Sequence, residues 1–154
     1  MLIAAPIPTP IGFGPRYQLA PGPPTGARFT CSRVDTATTE RAHVELFANK
    51  RVLLLPKGIG VSDRCTYPVR TSAPTGVVEY ARAAKPTLGD LFDVWGQPLS
   101  ARGFAGFHGA VSAWVGGRRW HGQVRAIPLR RHAEIVVEVG GYIPPHTFFL
   151  FPER

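Results

Sequence analysis

The chain has 154 residues, 44% of them hydrophobic and 18% charged, which suits one packed domain with an appended segment rather than a disordered chain. Its 18 basic against 10 acidic side chains give a net charge of +8; apart from Lys50, Lys57 and Lys85 the basic residues are arginines, suited to forked contacts with carboxylates or phosphates. No stretch approaches the roughly 20 apolar residues of a membrane helix, and two cysteines, Cys31 and Cys65, are too few for a disulfide scaffold.

Residues 1–28 are rich in proline (Pro6, Pro8, Pro10, Pro15, Pro21, Pro23, Pro24) and glycine, so neither a regular helix nor a central strand can run through them. Ile7, Ile11, Phe13, Tyr17 and Leu19 punctuate this arm, and an extended chain carrying spaced apolar side chains is equipped to lie along a surface. That surface belongs to the chain's own domain or to a neighbouring subunit. The opening MLIAAPIPTPIGFGPRY lacks a basic leader, and its prolines break an apolar helix, so it fails as a secretory signal. The expectation is a cytoplasmic protein, or one built into a large particle; Cys31 and Cys65 could pair, and free thiols are the default in a reducing cytosol.

A single β-rich domain is expected over residues 29–154. AHVELFANKRVLLLP reads as a hairpin turning at Asn49-Lys50, with Val44 and Leu46 toward the core and His43 and Glu45 outward. Short strands follow around Cys65–Val69 and Val77–Tyr80. TLGDLFDVWG predicts one helix: Thr87 caps it, Asp90 completes a capping-box-like pair, Leu88, Leu91, Phe92 and Trp95 line one face, and Gly96 ends it. AVSAWVGGRRWHG predicts a second hairpin turning at Gly116-Gly117. In HAEIVVEVG, Ala133, Ile135, Val137 and Val139 alternate with His132, Glu134, Val136 and Glu138, the pattern of a strand with one apolar and one polar face. YIPPHTFFLFP reads as a proline-interrupted edge strand. The fold class is mainly β: a small β-sandwich or partly open barrel with one short α-helix and an extended N-terminal arm.

Candidate chemistry is sparse. His43-x-Glu45 and His132-x-Glu134 each set two polar groups on one strand face, where a ligand or acid–base pair could form; ordinary solvent-facing alternation explains both equally well. Asp90 is engaged in capping, and Asp93 is expected to face water. Cys65 has no adjacent base, and no phosphate-binding glycine loop is present. The densest surface feature is GRRWHGQVRAIPLRRH, in which Arg118, Arg119, Arg125, Arg130 and Arg131 surround Trp120. Such interleaving serves nucleic-acid binding, or a grip on an acidic protein face.

Over roughly residues 31–152 the chain resembles a functionally uncharacterised family of small bacterial β-proteins, chiefly actinobacterial and often exported. The residues that carry the likeness are TLGDLFDVWGQPLS, with Gly58–Gly60 and Ala126–Leu129 in support. The family pattern has an H-x-H-x-H strand and a His-rich loop. Here only His43 remains of the strand, after Thr39 and Arg41, and the loop positions hold Arg70, Ser72 and Glu79. The resemblance therefore implies a retained scaffold that has lost its family's metal-ligand pattern, and no metal or cofactor is expected. The leading functional expectation is a non-catalytic structural or assembly component, its arm and its Arg/Trp surface contacting a protein partner or further copies of itself. The alternatives are a small-molecule-binding protein or enzyme with a pocket at His43, Glu45, Arg70 and Glu79, with or without a residual metal, and nucleic-acid binding through Arg118–Arg131.

Overall fold

The structure, a computed structural model, describes residues 14–33 and 38–151. In chain order the strands are β1 (Tyr17–Gln18), β2 (Thr39–Ala48), β3 (Arg51–Leu54), β4 (Val69–Arg70) and β5 (Val77–Ala81). Helix α1 (Leu88–Trp95) follows, then β6 (Leu99–Ser100), β7 (Gly103–Phe104), β8 (Phe107–His108), β9 (Val111–Val115), β10 (Arg118–Arg119) and β11 (Glu134–Val139). The mainly-β class with one short helix is what the structure shows. The main sheet is open and mixed, in the order β1-β3-β2-β11-β9-β10 with β4 and β5 joined to β2, and β6, β7 and β8 form a small second sheet.

Both hairpins form where the turn residues place them. Asn49 and Lys50 have φ of 52° and 64°, and Gly116 and Gly117 have 59° and 82°; this left-handed pair matches the twist of the strands it joins. The last strand, β11, enters the middle of the sheet, parallel to β2 and antiparallel to β9. The two hairpins are thus separated by a helix, and the final strand lies between them. A parallel neighbour needs a long crossover, and the helix and both hairpin connections supply it.

Helix α1 is held by its cap and by its apolar face. Thr87 accepts from the Asp90 amide, and the Asp90 carboxylate accepts from the Thr87 amide at 2.8 Å. Gly96 ends the helix at φ 80°, where a Cβ would lie 2.3 Å from the Pro23 carbonyl oxygen. An eight-residue helix is marginal alone. Leu88, Leu91, Phe92 and Trp95 are all fully buried, each contributing roughly 1.5–3 kcal/mol. They pack on Ala42, Val44, Leu46, Ile135 and Val137 from one face of the sheet.

The opposite face departs from expectation. The alternation in β2 and β11 marks it as a solvent face, yet His43, Glu45, Phe47, Glu134, Val136 and Glu138 are all buried. The C-terminal segment 141–151 covers it. This segment is not the expected edge strand; it belongs to neither sheet. Ile143 inserts into a second apolar cluster with Phe47, Val52, Trp114 and Val136, and Phe149 lies over His43.

Ile7, Ile11 and Phe13 of the arm lie outside the described residues; from Gly14 onward the chain is laid on its own domain, one of the two surfaces expected for it. Tyr17 pairs with Leu53 in parallel register, packs on Phe107 and stacks under Arg51. The Gly22 and Thr25 amides donate to the Trp95 and Asp93 carbonyls. Arg28 grips Asp90 through Nε and Nη2, both at 3.0 Å. Cys31 and Cys65, whose pairing the sequence left open, form a disulfide with Cα atoms 5.3 Å apart, tying the chain just after the arm to the segment before β4. No helix among the described residues is long and apolar enough to cross a membrane.

Candidate functional site

Parallel pairing of β2 with β11 sets His43 opposite Glu134 and Glu45 opposite Val136, so three ionisable side chains share one patch of the covered face. His43, Glu45 and Glu134 are 1%, 3% and 2% exposed. Nδ1 of His43 lies 2.6 Å from Oε1 of Glu134 and 3.5 Å from Oε2 of Glu45. One donor atom from each of the three side chains lies within 4.8 Å of the others.

Thr75 fixes the histidine. Its carbonyl oxygen, 2.9 Å from Nε2 of His43, can only accept, so Nε2 carries a proton. Nδ1 is therefore the nitrogen turned toward the carboxyl groups, and one proton is held between Nδ1 and Glu134. Glycine at 76 permits this approach: φ there is 83°, and a Cβ would lie 2.8 Å from Nε2 of His43. The tail closes the patch. Phe149 stacks on His43 at 3.7 Å between ring centres, and Nδ1 of His146 lies 2.8 and 2.9 Å from the two oxygens of Glu45.

Burial governs the charges. Desolvation pushes the Glu45 carboxyl up to about 8, helped by the neighbouring Glu134, and the Glu134 carboxyl up to about 7. Burial also holds the His43 imidazole below its ordinary value. Two ionised carboxylates in contact and out of water are strongly unfavourable, so the patch must hold positive charge, as protons or as a cation. Oε2 of Glu134 is buried with no hydrogen-bond partner, a lone pair turned to nothing in the protein. Glu138, two residues along the same face from Val136, is likewise raised to about 7 by burial; its Oε1 accepts from the Ile143 amide while Oε2 has no partner.

A divalent ion fits this donor set. Ligands about 2.0–2.2 Å from a tetrahedral ion stand roughly 3.3 Å apart. The 3.5 Å between His43 and Glu45 already matches, and the 2.6 Å between His43 and Glu134 needs to open by less than about 1 Å. A ligating histidine commonly donates its other ring N–H to a backbone carbonyl, the arrangement His43 has with Thr75. The expectation of no metal rested on counting histidines along one strand and one loop; the set that could hold an ion is instead assembled from two strands, with Glu134 brought in by the parallel pairing.

The remaining sequence candidates are placed differently. Arg41, Glu79 and Arg70 fall side by side across β2, β5 and β4, with Arg70 Nε 3.9 Å from Glu79, but Arg70 and Glu79 are not among the residues of the buried patch. The pocket expected at His43, Glu45, Arg70 and Glu79 is thus not open at its histidine end. A groove of about 400 Å³ lies elsewhere, between the arm and the disulfide, lined by Pro21, Pro24, Cys31, Cys65 and Tyr67 among others. His132 stands apart from Glu134, exposed and stacked on Phe151.

The basic cluster is partly used inside the fold. Arg125 Nη2 lies 2.7 Å from Asp93, which is therefore not left to water as expected, and Trp120 packs against the main core with its indole N–H donating to the Gln123 carbonyl. Arg119 lies over Trp114 and donates to Ser112. Arg118, Arg130 and Arg131 are exposed. No family model, no curated protein and no solved structure matches the chain.

Proposed function

We propose that this chain is a non-catalytic β-domain that binds one divalent first-row transition-metal ion in the buried His43–Glu45–Glu134 patch. The observation that carries the reading is the convergence of one imidazole nitrogen and two carboxyl groups, out of water, with the histidine pinned by Thr75 and a carboxylate oxygen left without a partner. Two carboxylates and a neutral imidazole cancel the charge of a 2+ ion. The mixed nitrogen and oxygen donors suit zinc, manganese or iron; Ca²⁺ asks for six to eight oxygens, which the patch does not offer.

The site is closed. Catalytic metal centres keep a coordination position open to water or substrate, whereas structural ones do not. Phe149 over His43 and the tail over Glu45 favour the structural kind, with the ion holding sheet and tail together. A role as an accessory or assembly component, contacting a protein partner, is compatible with such a centre. Three of the four large hydrophobic side chains exposed among the described residues, Tyr142, Phe148 and Leu150, lie on that same tail. The Cys31–Cys65 disulfide favours an oxidising compartment over the cytoplasm.

Equilibrium dialysis of chelator-stripped protein against Zn²⁺ and Mn²⁺ tests the reading. The wild type is expected to retain one ion per chain, and His43→Ala and Glu134→Gln to lose at least tenfold in affinity while remaining folded by circular dichroism. Equal uptake by wild type and Glu134→Gln, or no uptake by either, would overturn it.

A further inference from the structure

We infer that His146, carried on the C-terminal tail, is the fourth ligand of this ion, so that metal binding and seating of the tail are a single event. The inference rests on the metal-binding reading and deepens it. His43, Glu45 and Glu134 supply three donors from the sheet, and a closed site of this kind takes four. Nδ1 of His146 is aimed at Glu45 and reaches both of its oxygens. Against Glu45 its spacing is already close to the roughly 3.3 Å that separates ligands of one tetrahedral ion. His146 nevertheless stands outside the set whose donor atoms all lie within 4.8 Å of one another, so the tail must draw Nδ1 inward by more than about 1 Å to complete the site. For that shift the proton must sit on Nε2, leaving Nδ1 as the lone-pair donor. The His146 side chain is 21% exposed, against 2% or less for the other three. The tail side is therefore the route by which an ion enters.

The tail is built to couple to the site. It leaves β11 through Gly140 and Gly141, whose φ of 74° and 130° are conformations that glycine adopts readily and other residues do not. Among the described residues its one hydrogen bond from the backbone runs from Ile143 to the Glu138 carboxylate; its other anchors are side chains. Two of these, His146 on Glu45 and Phe149 on His43, rest on the ligands themselves. A segment held mainly by the groups it covers is secured when an ion joins them.

Zn²⁺ titration with amide hydrogen exchange across residues 142–151 tests this, using wild type and His146→Ala. In the wild type, Zn²⁺ is expected to slow exchange of the tail at least tenfold. His146→Ala should bind Zn²⁺ at least tenfold more weakly, and its tail should exchange equally with and without the ion. Co²⁺ substitution supplies a readout that packing alone does not move: strong tetrahedral absorption bands in the wild type, weakened and shifted in His146→Ala. Zn²⁺ binding in His146→Ala equal to wild type, or a wild-type tail indifferent to bound Zn²⁺, would overturn the inference and leave the three-residue site standing. If the wild type takes up no Zn²⁺, the metal reading itself fails, and this inference with it.

Discussion

His43 and Glu134 face one another from parallel strands, ring nitrogen to carboxyl oxygen at 2.6 Å, although 91 residues separate them in the chain. The other ring nitrogen donates to the Thr75 carbonyl, so the tautomer is fixed by a group that can only accept. In metal-free protein, nitrogen NMR is therefore expected to show Nε2 of His43 protonated across the neutral range. The ring should stay uncharged to below the ordinary histidine value, because burial disfavours the cation. A tautomer protonated at Nδ1 alone would contradict the arrangement.

Stability without metal should fall as pH rises through neutrality. The carboxyls of Glu134 and Glu138 titrate at about 7 in the folded chain and that of Glu45 at about 8, against 4.5 in the unfolded chain. A carboxyl raised in this way stabilises the fold fully below the unfolded value and loses that contribution as pH climbs through the folded one. His43 acts oppositely: its contribution is present above about 6.5 and fades as pH falls, because the unfolded chain then takes the proton first. Three carboxyls outweigh one imidazole. Urea unfolding in chelator should give a midpoint that drops between pH 6.5 and 8.5, and Glu138→Gln should flatten the drop by about 0.8 kcal/mol. Saturating Zn²⁺ should reverse the trend, since the ligands must lose protons to bind it.

The helix depends on its ends. Thr87→Ala removes the side chain that accepts the Asp90 amide and should cost about 1 kcal/mol. Gly96→Ala should cost more, since it sets a Cβ against the Pro23 carbonyl and forces a left-handed backbone on alanine. Chemical denaturation of the two variants ranks them; an equal or reversed order would be inconsistent with the packing of the arm against the helix end.

Joining Cys31 to Cys65 closes a loop across a sequence separation of 34, which in the chain-entropy account is worth about 4 kcal/mol. Replacing both cysteines by serine should lower stability by that order. Exchange of the Gly22 and Thr25 amides, which pin the arm to the end of α1, should speed up more than exchange in β2. Uniform acceleration across the domain would show that the disulfide guards the whole fold rather than the arm.

What could be read from the sequence was local. The capping box at Thr87 and Asp90, the glycine stop at Gly96 and the two-residue turns at Asn49-Lys50 and Gly116-Gly117 each depend on neighbours a few positions away, and each is found where its residues place it. The parallel pairing of β2 with β11 leaves no such mark, because nothing near His43 announces Glu134. The buried second face was hidden for another reason: charge alternating with apolar residues ordinarily means solvent. Two residues signalled otherwise. Phe47 and Val136 sit on the nominally polar faces of their strands, and both need an apolar cover. The tail, rich in aromatic residues and unable through Pro144 and Pro145 to pair as a strand, is that cover.

The most direct test of the metal centre is anomalous diffraction from crystals of the wild-type protein grown with one equivalent of Zn²⁺. A single peak about 2.0–2.2 Å from Nδ1 of His43 and from the carboxylates of Glu45 and Glu134 is the expected result. Zinc found only at exposed histidines such as His108 or His121, with the buried patch still joined by hydrogen bonds alone, would contradict it.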